Sequence, residues 1–215
     1  MQATSSKLLK KDVLGQVRLL GGPADPLIVR DLGPARWWAR SLARQLLFRE
    51  ARALAVLDGE PGVPALVEVR RDTLTRAFID GSPMHAARPH DPAYFREAGK
   101  LLRRLHRLGI VHNDLAKEAN WLVTRDGRPA VVDFQLAWHA PRRGRLFRVL
   151  AREDLRHLLK HKRTYCPSQL TARECRILAQ PSVPSRIWMR TGKPLYLVIT
   201  RRMLGWADRE GAADR

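Results

Sequence analysis

Residues 110–134 read IVHNDLAKEANWLVTRDGRPAVVDF, and this stretch decides the fold. Asp114 and Asn120 fall on a loop between two apolar runs. Asp133 closes a second strand-like run, Ala130-Val131-Val132, that follows a charged turn. Two acids and an amide in this order suit metal-dependent phosphoryl transfer. That reaction asks little covalent chemistry of the protein: one residue orients the attacking hydroxyl, and oxygen ligands hold Mg²⁺ on the phosphates. Asp114 suits the first role, Asn120 and Asp133 the second.

The rest of the composition sets the bounds. A chain of 215 residues can bury a full core as one domain or as two small lobes around a cleft. Its 45% hydrophobic and 28% charged residues are ordinary for a globular protein. No apolar run reaches membrane-spanning length, and the first residues lack the apolar centre of a secretory signal, so a cytoplasmic protein is expected. Cys166 and Cys175 are too few for a disulfide framework and read as reduced thiols. Charge is the unusual quantity. The net value is +19, and residues 141–215 hold 18 Lys/Arg against 6 Asp/Glu, so +12 of it lies there. Such a field attracts polyanions, whether nucleic acid, anionic lipid or phosphorylated sugars.

Along the chain, Lys7–Asp12, Gln16–Leu20 and Leu27–Asp31 predict short strands between glycine and proline turns. Residues 35–57 predict a helix with an apolar stripe of Trp38, Leu42, Leu46, Ala53 and Leu57. Glu50 lies in the register of that stripe, where a carboxylate is costly unless paired. Arg30, at the end of the third strand, is the expected partner. Ala65–Val69 and Thr73–Phe78 predict two more strands. The Asp80-Gly81-Ser82-Pro83 segment then reads as a hinge. Pro92–Leu108 predicts a helix with Asp91 as N-cap and Gly109 as terminator. Helices are expected at 146–162 and 170–179, with a terminal one at 194–206.

His112-Asn113-Asp114-Leu115 through Asn120, then Val132-Asp133-Phe134, resembles the catalytic loop and metal-binding turn of the protein-kinase-like fold. The small size and the lack of an activation segment look most like the compact atypical kinases. These are the RIO-type kinases and the bacterial lipopolysaccharide-core kinases that act on heptose or 3-deoxy-manno-octulosonic acid. The resemblance covers about residues 5–160. It implies an α+β bilobal fold: a small β-rich N-lobe (1–80) with one long helix, and a reduced helical C-lobe (81–215). The C-lobe would carry the catalytic loop, 110–135, and a basic C-terminal helical region. It further implies Asp114 as catalytic base and Lys117 as a charge on the transferring phosphoryl group. Arg30, Glu50 and Asp80 would bind the ATP, and Asn120 and Asp133 would hold Mg²⁺.

The chain departs from the pattern at four places. Asn120 follows Asp114 by six residues, one more than usual, and Gln135 replaces a glycine. The Gly-rich loop is reduced to Val13-Leu14-Gly15. Arg30 stands where a lysine is expected, and a planar fork is no simple replacement for a point charge.

Four functions follow. The first is an ATP- and Mg²⁺-dependent phosphotransferase of the RIO-like Ser/Thr type. The second is a lipopolysaccharide-core sugar kinase, peripheral at the inner membrane face. The third is a nucleotide-binding pseudokinase or scaffold. The fourth is a basic nucleic-acid-binding protein with an accidental motif. For the first two, the partners are ATP and a hydroxyl acceptor, a protein Ser/Thr or an anionic glycolipid. The basic C-terminal region would add contact with an anionic membrane or RNA.

Overall fold

Alternating strands separated by tight turns form the N-terminal sheet. In the computed structural model, which describes residues 6–22 and 25–180, these are β1 (Ser6–Asp12), β2 (Gly15–Leu20) and β3 (Leu27–Asp31). After helix α1 (Arg40–Val56) come β4 (Leu66–Val69) and β5 (Thr73–Ala77). The sheet order is β1-β2-β3-β5-β4, antiparallel throughout.

Register decides which side chains meet the helix. Ile28 pairs with Arg76 and Arg30 with Leu74, so these four share one face. Ile28 and Leu74 are buried there, and Leu74 packs with Ala43, Leu47 and Ala51 of α1. The same face therefore points two arginines at the helix.

The expected α1 differs in two respects. It begins at Arg40 rather than at residue 35, because Leu32–Ala39 fold as successive turns, with Ala35 N–H bonded to the Leu32 carbonyl and Ala39 N–H to that of Arg36. Its N-cap, Ala39, offers no side-chain acceptor. The N-terminal part of the buried stripe is also rotated. Ala43, Leu47, Glu50 and Leu54 face inward, while Trp38 and Leu42 are exposed. Ala53 and Leu57 of the expected stripe are buried and Leu46 is half-buried, so only the N-terminal part of the face is displaced, where Trp38 precedes the helix and the small Ala43 packs on the sheet instead of Leu42.

Beyond β6 (Gly81–Pro83) and the single turn α2 (Met84–Ala87), helix α3 (Pro92–Arg107) runs through the main core. Asp91 caps it by accepting from Ala93 N–H at 2.7 Å. Its buried side includes Tyr94, Phe95, Ala98, Leu101, Leu102 and Leu105. Gly109 ends it with φ +76°, and a Cβ there would lie 2.7 Å from the Ala140 carbonyl oxygen. That close approach lets β7 (Ile110–Val111) pair with β10 (Trp138–His139). Between them, β8 (Trp121–Thr124) and β9 (Pro129–Val131) form a hairpin that joins β6 in a second small sheet.

Helices α4 (Arg145–Tyr165) and α5 (Ala172–Ala179) complete the described residues. Leu54 of α1 and Leu57 at its C-cap enter the α3 core beside Trp121, Val131 and Phe134, so one helix serves both cores. A single compact unit extends to Leu178. The helix expected at 194–206 lies outside the described residues, as does most of the basic C-terminal region from 161 onward. Among the described residues no helix is long and apolar enough to cross a membrane.

Candidate active site

The loop between β7 and β8 gathers three of the expected residues. The Asp114 carboxylate accepts from Lys117 Nζ at 3.0 Å and from Asn120 Nδ2 at 2.9 Å, both on Oδ2. Asn120 gives its second amide hydrogen to the Asp114 carbonyl at 2.8 Å. The six-residue interval is accommodated by a 3₁₀ turn, Glu118–Asn120, which curls the amide back onto the aspartate. Both hydrogens of the Asn120 amide are then spent, leaving its side-chain oxygen as the ligand-capable atom.

Asp133 reaches the same place through the β8–β9 hairpin. Trp121 pairs with Val131, and Val132 N–H donates to the Asn120 carbonyl at 3.0 Å. Asp133 then turns out of the strand with φ +67°, the left-handed region. An aspartate tolerates this conformation better than most residues, yet it costs energy, and such positions cluster at functional sites. Its Oδ1 accepts from Gln135 Nε2 and lies 3.5 Å from an Arg30 guanidinium nitrogen. Burial pushes the Asp133 carboxyl up, but Arg30 and the Gln135 amide outweigh it and hold the group below the ordinary carboxylate range. Gln135, the departure from glycine, is thus a direct partner of the aspartate.

Arg30 also connects to α1. Its Nε lies 3.1 Å from Glu50 Oε2, and Arg76 Nε lies 3.2 Å from Glu50 Oε1. Glu50 is 0% exposed. Neither of its oxygens, nor Arg30 Nε, meets the alignment of a hydrogen bond. The cluster is held by charge at short range rather than by directed bonds. Arg76 went unrecognised in the sequence, although its place in the alternating Thr73–Ala77 run puts it on the face of Arg30.

Other supports were also missed. Asp154 of α4, 1% exposed, accepts His112 N–H at 2.8 Å and Asn113 N–H at 3.0 Å, with His106 Nε2 at 3.3 Å. It fixes the start of the loop, where Asn113 takes φ +63°. His112 accepts Asp114 N–H on Nδ1, so its proton lies on Nε2, which donates to the Val132 carbonyl. The imidazole staples the loop to the hairpin. Further on, His161 bonds the Leu115 carbonyl at 2.8 Å, and the Tyr165 hydroxyl donates to Glu118 at 2.7 Å. Acids and histidines on a long basic helix gave no sequence signal of these contacts, because their partners are backbone groups 40 or more residues away.

The structure does not bring Asp80 into this cluster: its carboxylate pairs with Arg125 Nε at 2.6 Å on the exposed rim. The reduced loop at Val13-Leu14 is closed by side chains, with Leu14 N–H donating to Asp12 Oδ1 at 2.9 Å and Gln16 Nε2 to Asp31 Oδ2 at 2.8 Å.

The donor set fits Mg²⁺. Asn120 and Asp133 offer hard oxygens, and Mg²⁺ is ordinarily held by one or two carboxylates while phosphates and water complete its octahedron. The described residues contain no group of three or more His, Cys, Asp or Glu able to hold a metal by themselves. An ion held by Asn120 and Asp133 would complete its octahedron with phosphate oxygens and water.

Comparison with known proteins agrees with this arrangement. No protein-family model matches the chain. It is 30% identical over 129 residues to a probable serine/threonine-protein kinase BUD32 homolog of Archaeoglobus fulgidus, covering 55% of this chain and 64% of that protein. It is 33% identical over 126 residues to a probable bifunctional tRNA threonylcarbamoyladenosine biosynthesis protein of Methanospirillum hungatei, covering 56% and 23%. The chain thus spans less than two thirds of the length of each of these relatives. Among solved structures, the Rio2 kinase of Chaetomium thermophilum, an ADP/Mg²⁺-phosphoaspartate complex, aligns with a TM-score of 0.57 at 15% identity. The alignment covers 88% of this chain and 66% of that one. Site geometry, sequence likeness and structural likeness converge: the chain has the α+β, bilobal protein-kinase-like fold, and its sequence is similar to that of an atypical protein kinase.

Proposed function

We propose that the chain is an ATP- and Mg²⁺-dependent phosphotransferase of the RIO-like Ser/Thr type. The observation that carries this reading is the Asp114–Lys117–Asn120 cluster, tied by the Val132–Asn120 backbone bond to Asp133. Asp114 orients the acceptor hydroxyl and takes its proton as the new P–O bond forms and the bond from the γ-phosphorus to the bridging oxygen breaks, ADP leaving. Lys117, held against Asp114, brings a positive charge beside the transferring group. Asn120 and Asp133 would hold Mg²⁺, which neutralises charge developing on the phosphates. Arg30, positioned by Glu50, faces the same aspartate from the sheet. A role for Asp80 in holding the nucleotide would have to operate from the rim, outside its bond to Arg125.

Labelled ATP and Mg²⁺ with the purified chain test this. Phosphate should appear on the protein or on an added Ser/Thr acceptor, and Asp114→Ala should abolish it. Equal transfer by both proteins would end the reading. Transfer only to a lipopolysaccharide-core sugar would move the acceptor to the glycolipid class and the protein to the inner membrane face.

One contact favours a second reading. A guanidinium 3.5 Å from Asp133 competes with a metal for the same carboxylate. A pseudokinase would use that pairing to bind nucleotide without transfer. It predicts thermal stabilisation by ATP that is insensitive to Mg²⁺, with no labelled product. Beyond the nucleotide, the basic C-terminal region supports an RNA or anionic-membrane partner.

A further inference from the structure

Away from the candidate active site, α3 and the start of α4 enclose an open cleft of about 670 Å³. Its rim is formed by Arg103 and Arg107 on α3 and by Arg143 and Arg148 at the start of α4, over a floor that includes His106 and Phe147. All four arginines are exposed, and none has an ion-pair partner among the described residues. Arg142 and Arg145, also exposed, flank Arg143 in the same segment without lining the cleft.

The acids nearest in sequence are already engaged. Asp154 is buried against the catalytic loop and His106, Glu153 lies 3.7 Å from Arg156, and Glu97 is bonded to Lys100. The first turn of α4 adds to the field instead of offsetting it. Gly144 provides no side-chain cap, and there is no acidic residue in that turn. Like charges gathered around one concavity repel each other, so the arrangement is stabilised by an anion from outside.

We infer that this cleft binds the sugar–phosphate backbone of a nucleic acid. Arg103 and Arg107 are one helical turn apart, about 6 Å along α3, within reach of successive phosphates on one strand. A volume of this size is that of an ordinary ligand site and holds more than one phosphate group. Concavity disfavours a membrane, whose flat surface would meet the rim but not the floor. The number of unpaired guanidiniums exceeds what one phosphorylated side chain needs. The inference takes up the charge reading but does not rest on phosphoryl transfer, so a failed kinase assay leaves it standing.

Fluorescence anisotropy of a labelled 20-nucleotide RNA, measured at several salt concentrations with the full chain, tests it. Arg103→Gln/Arg107→Gln should bind about tenfold or more weakly. It should also lower the slope of log K against log salt by about 1.4, roughly 0.7 per lost phosphate contact on a single strand. Arg143→Gln/Arg148→Gln should do the same. Arg70→Gln/Arg71→Gln, which removes equal charge from the β4–β5 turn, should change neither quantity by more than about twofold. All these side chains are exposed, and unchanged circular dichroism would confirm folding. Equal losses in all three variants would mean diffuse attraction and would overturn the site. So would wild-type RNA binding in both cleft variants, or loss of binding to anionic vesicles or a phosphoserine peptide without loss of RNA binding.

Discussion

The two halves of the candidate active site are built by different physics. The catalytic loop is held by directed hydrogen bonds: Asp154 to two backbone amides, His112 to the hairpin, His161 and Tyr165 to the far end of the loop. The sheet side is held by charge. Arg30, Arg76, Glu50 and Asp133 alternate in sign at 3.1–3.5 Å, and Glu50 accepts no aligned bond. Directed bonds fix orientation, which a proton acceptor needs. A charge cluster tolerates sliding, which suits a side that must adapt to a triphosphate. The contrast also explains how arginine can stand in the lysine position, because short-range attraction demands less of geometry than a bidentate fork does.

The largest effect tests the ordered half. Asp114→Ala should lower phosphoryl transfer by about 10²–10⁴, the range for a positioned proton acceptor, with nucleotide affinity nearly unchanged. A variant with full turnover would remove the loop from the chemistry.

Next is the charge half, where the three partners are not equivalent. Glu50→Ala leaves Arg30 and Arg76 facing one another without their shared buried anion, and should cost about 3–5 kcal/mol in chemical unfolding. Arg30→Ala leaves Glu50 still paired with Arg76 and should cost clearly less. A double variant should resemble Glu50→Ala alone, since the pair's coupling is already lost. If Arg30→Ala proves the worse of the two single changes, Arg76 does not share the anion.

A smaller change sharpens the comparison. Asp154→Asn keeps the shape but turns one amide NH₂ toward a backbone N–H, costing about 1–3 kcal/mol for the donor left unsatisfied. Transfer should fall while nucleotide affinity holds, because the sheet side is untouched. Parallel loss of both would show that the halves are one unit.

The same division separates what was legible in the sequence from what was not. Asp114, Asn120 and Asp133 were readable because local spacing and strand ends place them. Arg30 and Glu50 were readable because a charge inside an apolar stripe demands a partner. Strand limits and the Asp91 cap followed from turn chemistry within a few residues. What escaped depends on distance along the chain. Asp154 acts 42 residues from the amide it binds, and Arg76 is placed by sheet register. The N-terminal part of the inward face of α1 escaped for a different reason, while Ala53 and Leu57 were legible and are buried. Hydrophobicity favoured Trp38 and Leu42, but close packing on the sheet selected Ala43, Leu47 and Leu54.

Acidity should pull the halves apart in a known order. Burial, aided by Lys160 and opposed by Asp154 and Glu153, pushes the His157 imidazole on α4 down to about 4. Burial also lowers His161, which holds the loop carbonyl of Leu115. An unfolded histidine takes its proton near pH 6.5. Between about 6.5 and 4 the unfolded chain therefore binds more protons than the native one, and stability falls as pH drops through that window. Asp133 behaves oppositely in range. Its folded carboxyl lies below the ordinary value, so its contribution persists until the pH falls below the usual carboxylate range. The hydrogen-bonded half should thus weaken first. Thermal midpoints measured from pH 7 to 4.5 should decline in the wild type and less steeply in His157→Gln, where His161 alone remains, whereas Asp133→Asn should leave the slope in that window unchanged. A decline that survives His157→Gln and disappears in Asp133→Asn would assign the acid sensitivity to the sheet side instead.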